Sequence, residues 1–563
     1  MAELALTEAG DAARRRRVLL GLVCLAALYV AAMAWRLRDF AVDDAYIGFA
    51  FLRNLLEGHG FTFHPGGRAV EGVTNVGWIL ALAPAAALAG AVTAAKLLGA
   101  LLLFGAILLT GAIGRGLSSR VETLPHADTL MLAPPILLAA SFEFLYFPLA
   151  GMETAALSCI ILAMAWIALR TPHSLALPVL GALAFTLHPE AVLVYPIYVV
   201  LRLLIVRLSF GARLRRAPQD EVEKSAERHP PHLEVRAEQA SKDEGQAAIT
   251  VSRLIAGGLL YAALLALITL ARWLVFGALL PNTFAAKPPA ELGAMLGGLV
   301  ELASGSHLGT GFPAAGLLGL WLMAQGWSRL RRSAPDAAAI LGAIAAAGLL
   351  FAIYARPDWT QSARYFAPYL PAALLLLWTG ALDLAHRLWP GRAGPIAAFA
   401  GLLLLVQGLT LGARLGAMED FPGYVLAGRT LIGPAEEVAR IVPEGETIAT
   451  RRIGALAYVS RRPVFDYAYG LTDPEVARAV ARRGGFFERP GEPDLAAIWK
   501  ARDPRWILED EAVLADIARR AGGSLDGFTL HGMTYRAERR FPIAPEVDWV
   551  LARRIDQALA ARD

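Results

Sequence analysis

The sequence predicts an α-helical polytopic membrane protein that ends in a soluble α/β domain. Three observations carry that expectation. Of the 563 residues, 56% are apolar and only 18% are charged, whereas about a quarter of a typical soluble domain is charged. Apolar runs recur up to about residue 415, most of them near the length that crosses roughly 30 Å of hydrocarbon. From about Met418 onward the composition is that of an ordinary soluble domain. The net charge of +4 is small for this length and points to no nucleic-acid partner. Cys24 and Cys159 both lie inside apolar runs, which suits core residues rather than a disulfide framework or a metal site.

The first run, 18–36, follows Arg14, Arg15, Arg16 and Arg17. It shows no small-residue cleavage site and is long enough to span, so it reads as a signal anchor. Runs at 94–114, 129–147, 152–169, 174–188, 190–208, 253–276, 312–328, 337–354, 366–385 and 394–415 bring the expected total to about eleven transmembrane helices. The stretch 77–90 is shorter and contains Pro84, which suits a helix lying at or dipping into the interface. With that stretch left out of the count, Arg115, Arg120, Arg170, Arg207, Arg213, Arg215, Arg216, Arg329, Arg331, Arg332, Arg387 and Arg392 all fall on one side. Basic residues in short loops are retained in the cytoplasm, so that side, with the N-terminus, is expected to be cytoplasmic. The polar insert 209–252, rich in Glu, Lys, Arg, Gln and Pro, is expected to be a solvated, partly disordered cytoplasmic loop.

The domain plan that follows is a transmembrane domain over 1–417, with a first extracytoplasmic loop at 37–93, and an extracytoplasmic domain over 418–563. In the tail, "ETIATRRIGALAYVSRRPVFDYAYGLTDPEVARAV" alternates strand-like runs at 447–450 and 463–465 with helical patterns, and "DPRWILEDEAVLADIARRA" repeats that order. This pattern predicts a small α/β domain. It contains no Gly-rich phosphate loop, which argues against a nucleotide site there.

The extracytoplasmic side collects the polar segments. Asp43 and Asp44 stand at the mouth of the first span, and ionisable groups in such places are functional by default. Asp44 adjoins the helical run 45–57 and is the better placed of the two to cap it, which leaves Asp43 as the first choice for a chemical role and Asp44 as the second. The run itself, with Tyr46, Phe49, Phe51, Leu52 and Leu56, is expected to rest in the interface plane. His59 and His64 follow in a turn-rich loop, where a solvated or hydrogen-bonded state outweighs a metal pair. Glu71 and Asn75 form a second polar cluster that can fold back over the carboxylates.

The segments "DDAYIGFAFLRNLLEGHG", "FHPGGRAVEGVTN", "AGMET", "HPEA", "LLPNTFAAK" and "RYFAPYLP" occur in this order along the chain. Together they resemble the bacterial GT-C polyprenyl-phosphate-sugar glycosyltransferases, specifically the family containing the mycobacterial terminal arabinofuranosyltransferase of arabinan synthesis. The stretch "GALAYVSRRPVFDYAYGLTDPEVAR" is similar to the periplasmic tail of bacterial members. The resemblance implies a GT-C-like fold in a bacterial inner membrane and a sugar donor linked to polyprenyl phosphate. It also implies a catalytic aspartate in the first extracytoplasmic loop, a role that maps onto Asp43 or Asp44. The chain departs from the pattern at His188, where Arg is common, and at Met152, where Leu is common.

Such a donor brings its own leaving group, so the protein needs a carboxylate to take the acceptor proton and cations to meet the departing phosphate. Lys96, Lys287 and Arg364 are the candidate cations, each with a plainer reading: Lys96 and Lys287 as snorkelling lysines, Arg364 as the partner of Asp358. Glu153, His188, Glu190, Asn282 and Tyr365 complete the expected substrate-binding set with Glu71 and Asn75. Glu153 and Glu190 also suit helix starts without any ligand. The acceptor is expected to be a hydroxyl of a cell-envelope glycan or glycolipid. No cofactor is demanded, and assistance by a divalent metal is left open. The alternative is a transporter or flippase for lipid-linked sugars, which would place ionisable groups near mid-span rather than at one rim.

Overall fold

The computed structural model describes residues 2–121, 124, 126–215, 231–286, 292–303, 315–354, 364–392, 394–417, 429–544 and 547–555. The chain is a multi-pass, mostly helical membrane protein with a C-terminal α/β domain. Among the described residues, the helices 91–118, 189–207, 249–276, 335–354, 367–388 and 394–416 are long and apolar enough to cross a membrane. The pair Ala127–Ala139 and Phe142–Leu149, bent by 59°, adds a seventh crossing if it counts as one. Several of the about eleven expected runs fold as shorter apolar helices, Thr154–Ala168 and Ala176–Leu187 among them. The chain turns at "TPHS" and at "HP", which break the apolar periodicity before a full crossing is reached.

Two helices form the centre of the bundle: 335–354 and especially 367–388, of which 94% of the most apolar window is buried. Helix Leu370–Leu388 packs on Ala315–Ser333 through facing glycines. A Cβ added at Gly380 would lie 1.9 Å from the Leu322 carbonyl oxygen, and one at Gly326 would lie 1.9 Å from that of Leu376. Backbones can meet this closely only where neither residue has a side chain, the usual solution where lipid removes the hydrophobic drive between helices. In the insert 209–252 the backbone is helical up to Arg215 and again from Pro231, so both flanking helices extend into it. Its abundance of Ala, Glu, Gln, Lys and Arg explains why.

The helix Asp43–Leu56 differs from its expected setting. Ala45 to Leu52 are buried throughout. The C-terminal domain covers the helix, with the Tyr458 ring 5.6 Å from Tyr46 and 6.0 Å from Phe49. The aromatic face that suggested an interfacial position is thus buried against protein.

The C-terminal domain is built on one six-stranded sheet. Its strands are β1 (Ile448–Thr450), β2 (Val464–Asp466), β3 (Trp506–Asp510), β4 (Phe528–Leu530), β5 (Met533–Ala544) and β6 (Val547–Arg554), in the order β2-β1-β3-β6-β5-β4. The first three strands are parallel and joined by helices, as the strand-then-helix pattern predicts; β6, β5 and β4 add an antiparallel half. The carboxyl ends of β1, β2 and β3 are tied together under the surface. Buried Glu509 accepts from Arg451 Nε at 2.9 Å and from the Tyr467 hydroxyl, and Arg451 also pairs with Asp510.

Candidate active site at one rim

Five segments distant in sequence converge at one rim. Arg364, just ahead of the central helix 367–388, donates to Asp44 Oδ2 at 2.8 Å. Asn75, at the start of helix Val76–Ala89, donates to Glu153 Oε2 at 2.6 Å. Glu153 precedes helix Thr154–Ala168 and lies 3.8 Å from His188 Nε2. The other ring nitrogen of His188 meets Glu190 at short range. Tyr365 and Phe351 pack on the His188 ring with centroids 6.3 and 6.1 Å away, and Arg364 lies over the rings of Phe147 and Tyr365. Asp44, Asn75, Glu153, His188, Glu190, Arg364 and Tyr365, all named from sequence, therefore form one connected cluster.

Exposure separates their capacities. The side chains of Glu190, Glu153 and His188 are 2%, 6% and 16% exposed, Arg364 13%, and Asp44 37%. Asp44 is thus the carboxylate of this set most open to a solute, and it is paired with Arg364. Glu153 and Glu190 hold His188 between them, with one carboxyl group at each ring nitrogen.

Neither aspartate caps its own helix. Val42 is the N-cap and makes no side-chain bond. Asp43 instead reaches across to the C-terminal domain, where Oδ2 accepts from the Gly454 N–H at 3.1 Å and Oδ1 from the Ala455 N–H at 2.7 Å. Burial pushes the Asp43 carboxyl above its usual range, and these two donors act in the opposite sense. The expected order of the pair is therefore corrected. Both oxygens of Asp43 are engaged in a contact between domains, and Asp44 is the carboxylate that faces the cluster.

The remaining named residues lie elsewhere. Lys96 donates to the carbonyls of Leu37 at 2.8 Å, Leu149 at 3.0 Å and Phe40. All three ammonium protons are spent on backbone, so Lys96 pins the chain leaving the first helix rather than meeting a phosphate. Glu71 accepts from buried Arg272 at 3.0 Å, and its carboxyl is held up to about 7 by burial, partly offset by Arg272. Asn282 bonds the Glu71 carbonyl at 3.1 Å and the Leu471 carbonyl at 3.3 Å. Glu71 and Asn282 thus form a separate cluster under the C-terminal domain. Lys287 and Asp358 lie outside the described residues. His59 stands 3.9 Å from Glu57, and His64 bonds the adjacent Pro65 carbonyl, so the two histidines do not converge on each other. Sequence reading missed Arg272; a lone arginine near the end of an apolar run was the available signal. It also missed Gly454 and Ala455, which act through backbone N–H groups and leave no side-chain signal.

Residues 429–557 match the family described as "Domain of unknown function (DUF8728)". No curated protein matches the chain in sequence. In structure, the chain is similar to ArnT from Cupriavidus metallidurans in the apo state, with a TM-score of 0.53 at 13% identity, covering 96% of this chain and 98% of that one. It is likewise similar to ArnT bound to undecaprenyl phosphate, with a TM-score of 0.51 at 12% identity over 95% and 98% of the two chains. The archaeal oligosaccharyltransferase AglB from Archaeoglobus fulgidus, in complex with an inhibitory peptide and a dolichol-phosphate, gives a TM-score of 0.51 at 12% identity, over 89% of this chain and 70% of that one. At these identities the likeness is one of fold.

Proposed function

We propose that the protein is an integral membrane glycosyltransferase that moves a sugar from a polyprenyl-phosphate-linked donor to a hydroxyl of a cell-envelope glycan or glycolipid. The observation that carries this reading is the convergence of Asp44, Arg364 and the Asn75, Glu153, His188 and Glu190 set at a single rim. A shared rim suits interfacial group transfer better than passage through the bilayer. Two structural neighbours support the donor class, since one is in complex with a dolichol-phosphate and the other is bound to undecaprenyl phosphate.

In this reading Asp44 accepts the proton of the acceptor hydroxyl as its oxygen forms a bond to the anomeric carbon. The bond from that carbon to the phosphate oxygen breaks, and the polyprenyl phosphate leaves with the electron pair. Arg364 and His188 meet the charge that develops on the phosphate. The rim faces the extracytoplasmic side of the bacterial inner membrane, with the N-terminus in the cytoplasm and the C-terminal domain outside. The resemblance to the arabinofuranosyltransferase family makes arabinofuranose the first donor sugar to test, with mannose, rhamnose or another pentose as the alternatives.

Mass analysis of envelope glycans and lipid-linked sugars from a deletion strain tests the reading. Accumulated polyprenyl-phosphate pentose together with a shortened glycan is the expected pattern. An unchanged glycan profile with normal lipid-linked sugars contradicts it.

A further inference from the structure

The carboxyl ends of the three parallel strands β2, β1 and β3 point at the membrane half of the molecule, and two backbone contacts hold them there. Past β1, the chain runs through Arg451 and Arg452 into the helix Gly454–Ser460, whose first N–H groups lie on the Asp43 carboxylate. Past β2, Leu471 meets Gly72 and Asn282 of the membrane half. Both contacts are close. A Cβ at Gly454 would sit 2.0 Å from the Asp43 carbonyl oxygen, and one at Gly72 would sit 2.7 Å from the Leu471 carbonyl oxygen. Further along the same faces, Arg53 donates to the Tyr458 carbonyl at 2.5 Å and Arg461 pairs with Glu57 at 2.9 Å.

Asp43 and Asp44 are neighbours at the start of one helix, so a force on the first is transmitted rigidly to the second. The network of Glu509, Arg451 and Tyr467 ties together the strand ends above them. Tyr469, beyond β2, lies within electrostatic reach of Asp44 and stacks on Phe486 at 5.0 Å.

We propose that Asp43 is a positioning residue: its carboxylate fastens the C-terminal domain to the first outer helix, and this attachment sets the place of Asp44 and completes the outer wall of the site. The proposal rests on the reading of Asp44 as the base. It assigns the C-terminal domain to the transfer step and not to capture of the lipid donor, because none of the fastening groups belongs to the Arg364 and His188 set. Losing the latch displaces Asp44 by a fraction of a turn, and a misplacement of about 1 Å costs up to roughly a hundredfold in rate.

The test uses the full chain in detergent, with Asp43→Ala, Asp43→Asn and Gly454→Ala compared for transfer kinetics and for hydrogen exchange over 453–460. We expect Asp43→Ala and Gly454→Ala each to lower kcat by about 10- to 100-fold while the donor KM stays within about twofold. Exchange over 453–460 rises in both, and Asp43→Asn, which keeps one acceptor oxygen, falls between. Abolished transfer in Asp43→Asn with full activity in Gly454→Ala would identify Asp43 as the base and overturn the proposal. Unchanged exchange in Asp43→Ala overturns it as well. If the wild-type chain transfers nothing, the glycosyltransferase reading fails, and the exchange measurement alone still decides whether Asp43 fastens the domain.

Discussion

Asp44 and Arg364 are 320 positions apart in sequence and 2.8 Å apart in space. Residue types at membrane mouths were enough to name both, because a charge beside hydrocarbon is costly to keep without a use. What the sequence withheld was the division of labour between neighbours, which depends on partners supplied by remote segments. Glu71 illustrates the same limit, since its partner Arg272 lies 201 positions away. That pair yields a sharp prediction. Removing one member of a buried ion pair leaves the other uncompensated and costs about 3–5 kcal/mol, so Arg272→Ala should lower the melting temperature markedly, and Glu71→Gln in the same chain should restore part of the loss. The ordinary carboxyl value is 4.5 and the folded one about 7. Between these values the folded state holds the proton more tightly, so the Glu71 contribution to stability falls as pH rises through the window. The penalty of Arg272→Ala is therefore expected to be smaller at pH 5 than at pH 8, where Glu71 is ionised and needs its partner. Equal penalties at the two values contradict this account of Glu71.

Elements were more legible than residues where the signal is periodic. The strand-then-helix alternation of the tail predicts β1, β2 and β3, since each buried strand announces itself as a short apolar run. Strands β5 and β6 were not read, because charged residues interrupt "YRAERRFPI" and "WVLARR" and obscure the period of two. Span counting is limited in a different way. Apolar composition marks a helix as buried or lipid-facing without fixing its length across the bilayer, and Thr154–Ala168 and Ala176–Leu187 are apolar yet short. Glycines that set helix approach are also silent in sequence, since Gly326 and Gly401 read alike. The structure separates them. Gly380→Val should destabilise the bundle by about 1–3 kcal/mol or unfold it, because the added Cβ meets the Leu322 carbonyl at 1.9 Å. Gly401→Ala, with nothing within 4 Å of the new atom, should leave thermal stability unchanged. Similar melting for the two variants would show that the helices do not meet as described.

At the scale of the whole molecule, a helical membrane half and an α/β domain enclose the helix Asp43–Leu56 from two sides. The orientation proposed for this assembly is open to labelling: single cysteines near Gly58 should react with a membrane-impermeant reagent from outside the cell, and cysteines in 209–252 should react only after permeabilisation. The reverse pattern would turn the rim to the cytoplasm. The central claim is that Asp44 performs group transfer at that rim. Its most direct test is a transfer assay with purified chain, a polyprenyl-phosphate pentose donor and an envelope glycan acceptor. Wild type is expected to form the extended glycan, and Asp44→Asn to slow its formation by about 100-fold or more at equal abundance and equal undecaprenyl phosphate binding. Product formed by Asp44→Asn at the wild-type rate would contradict the account.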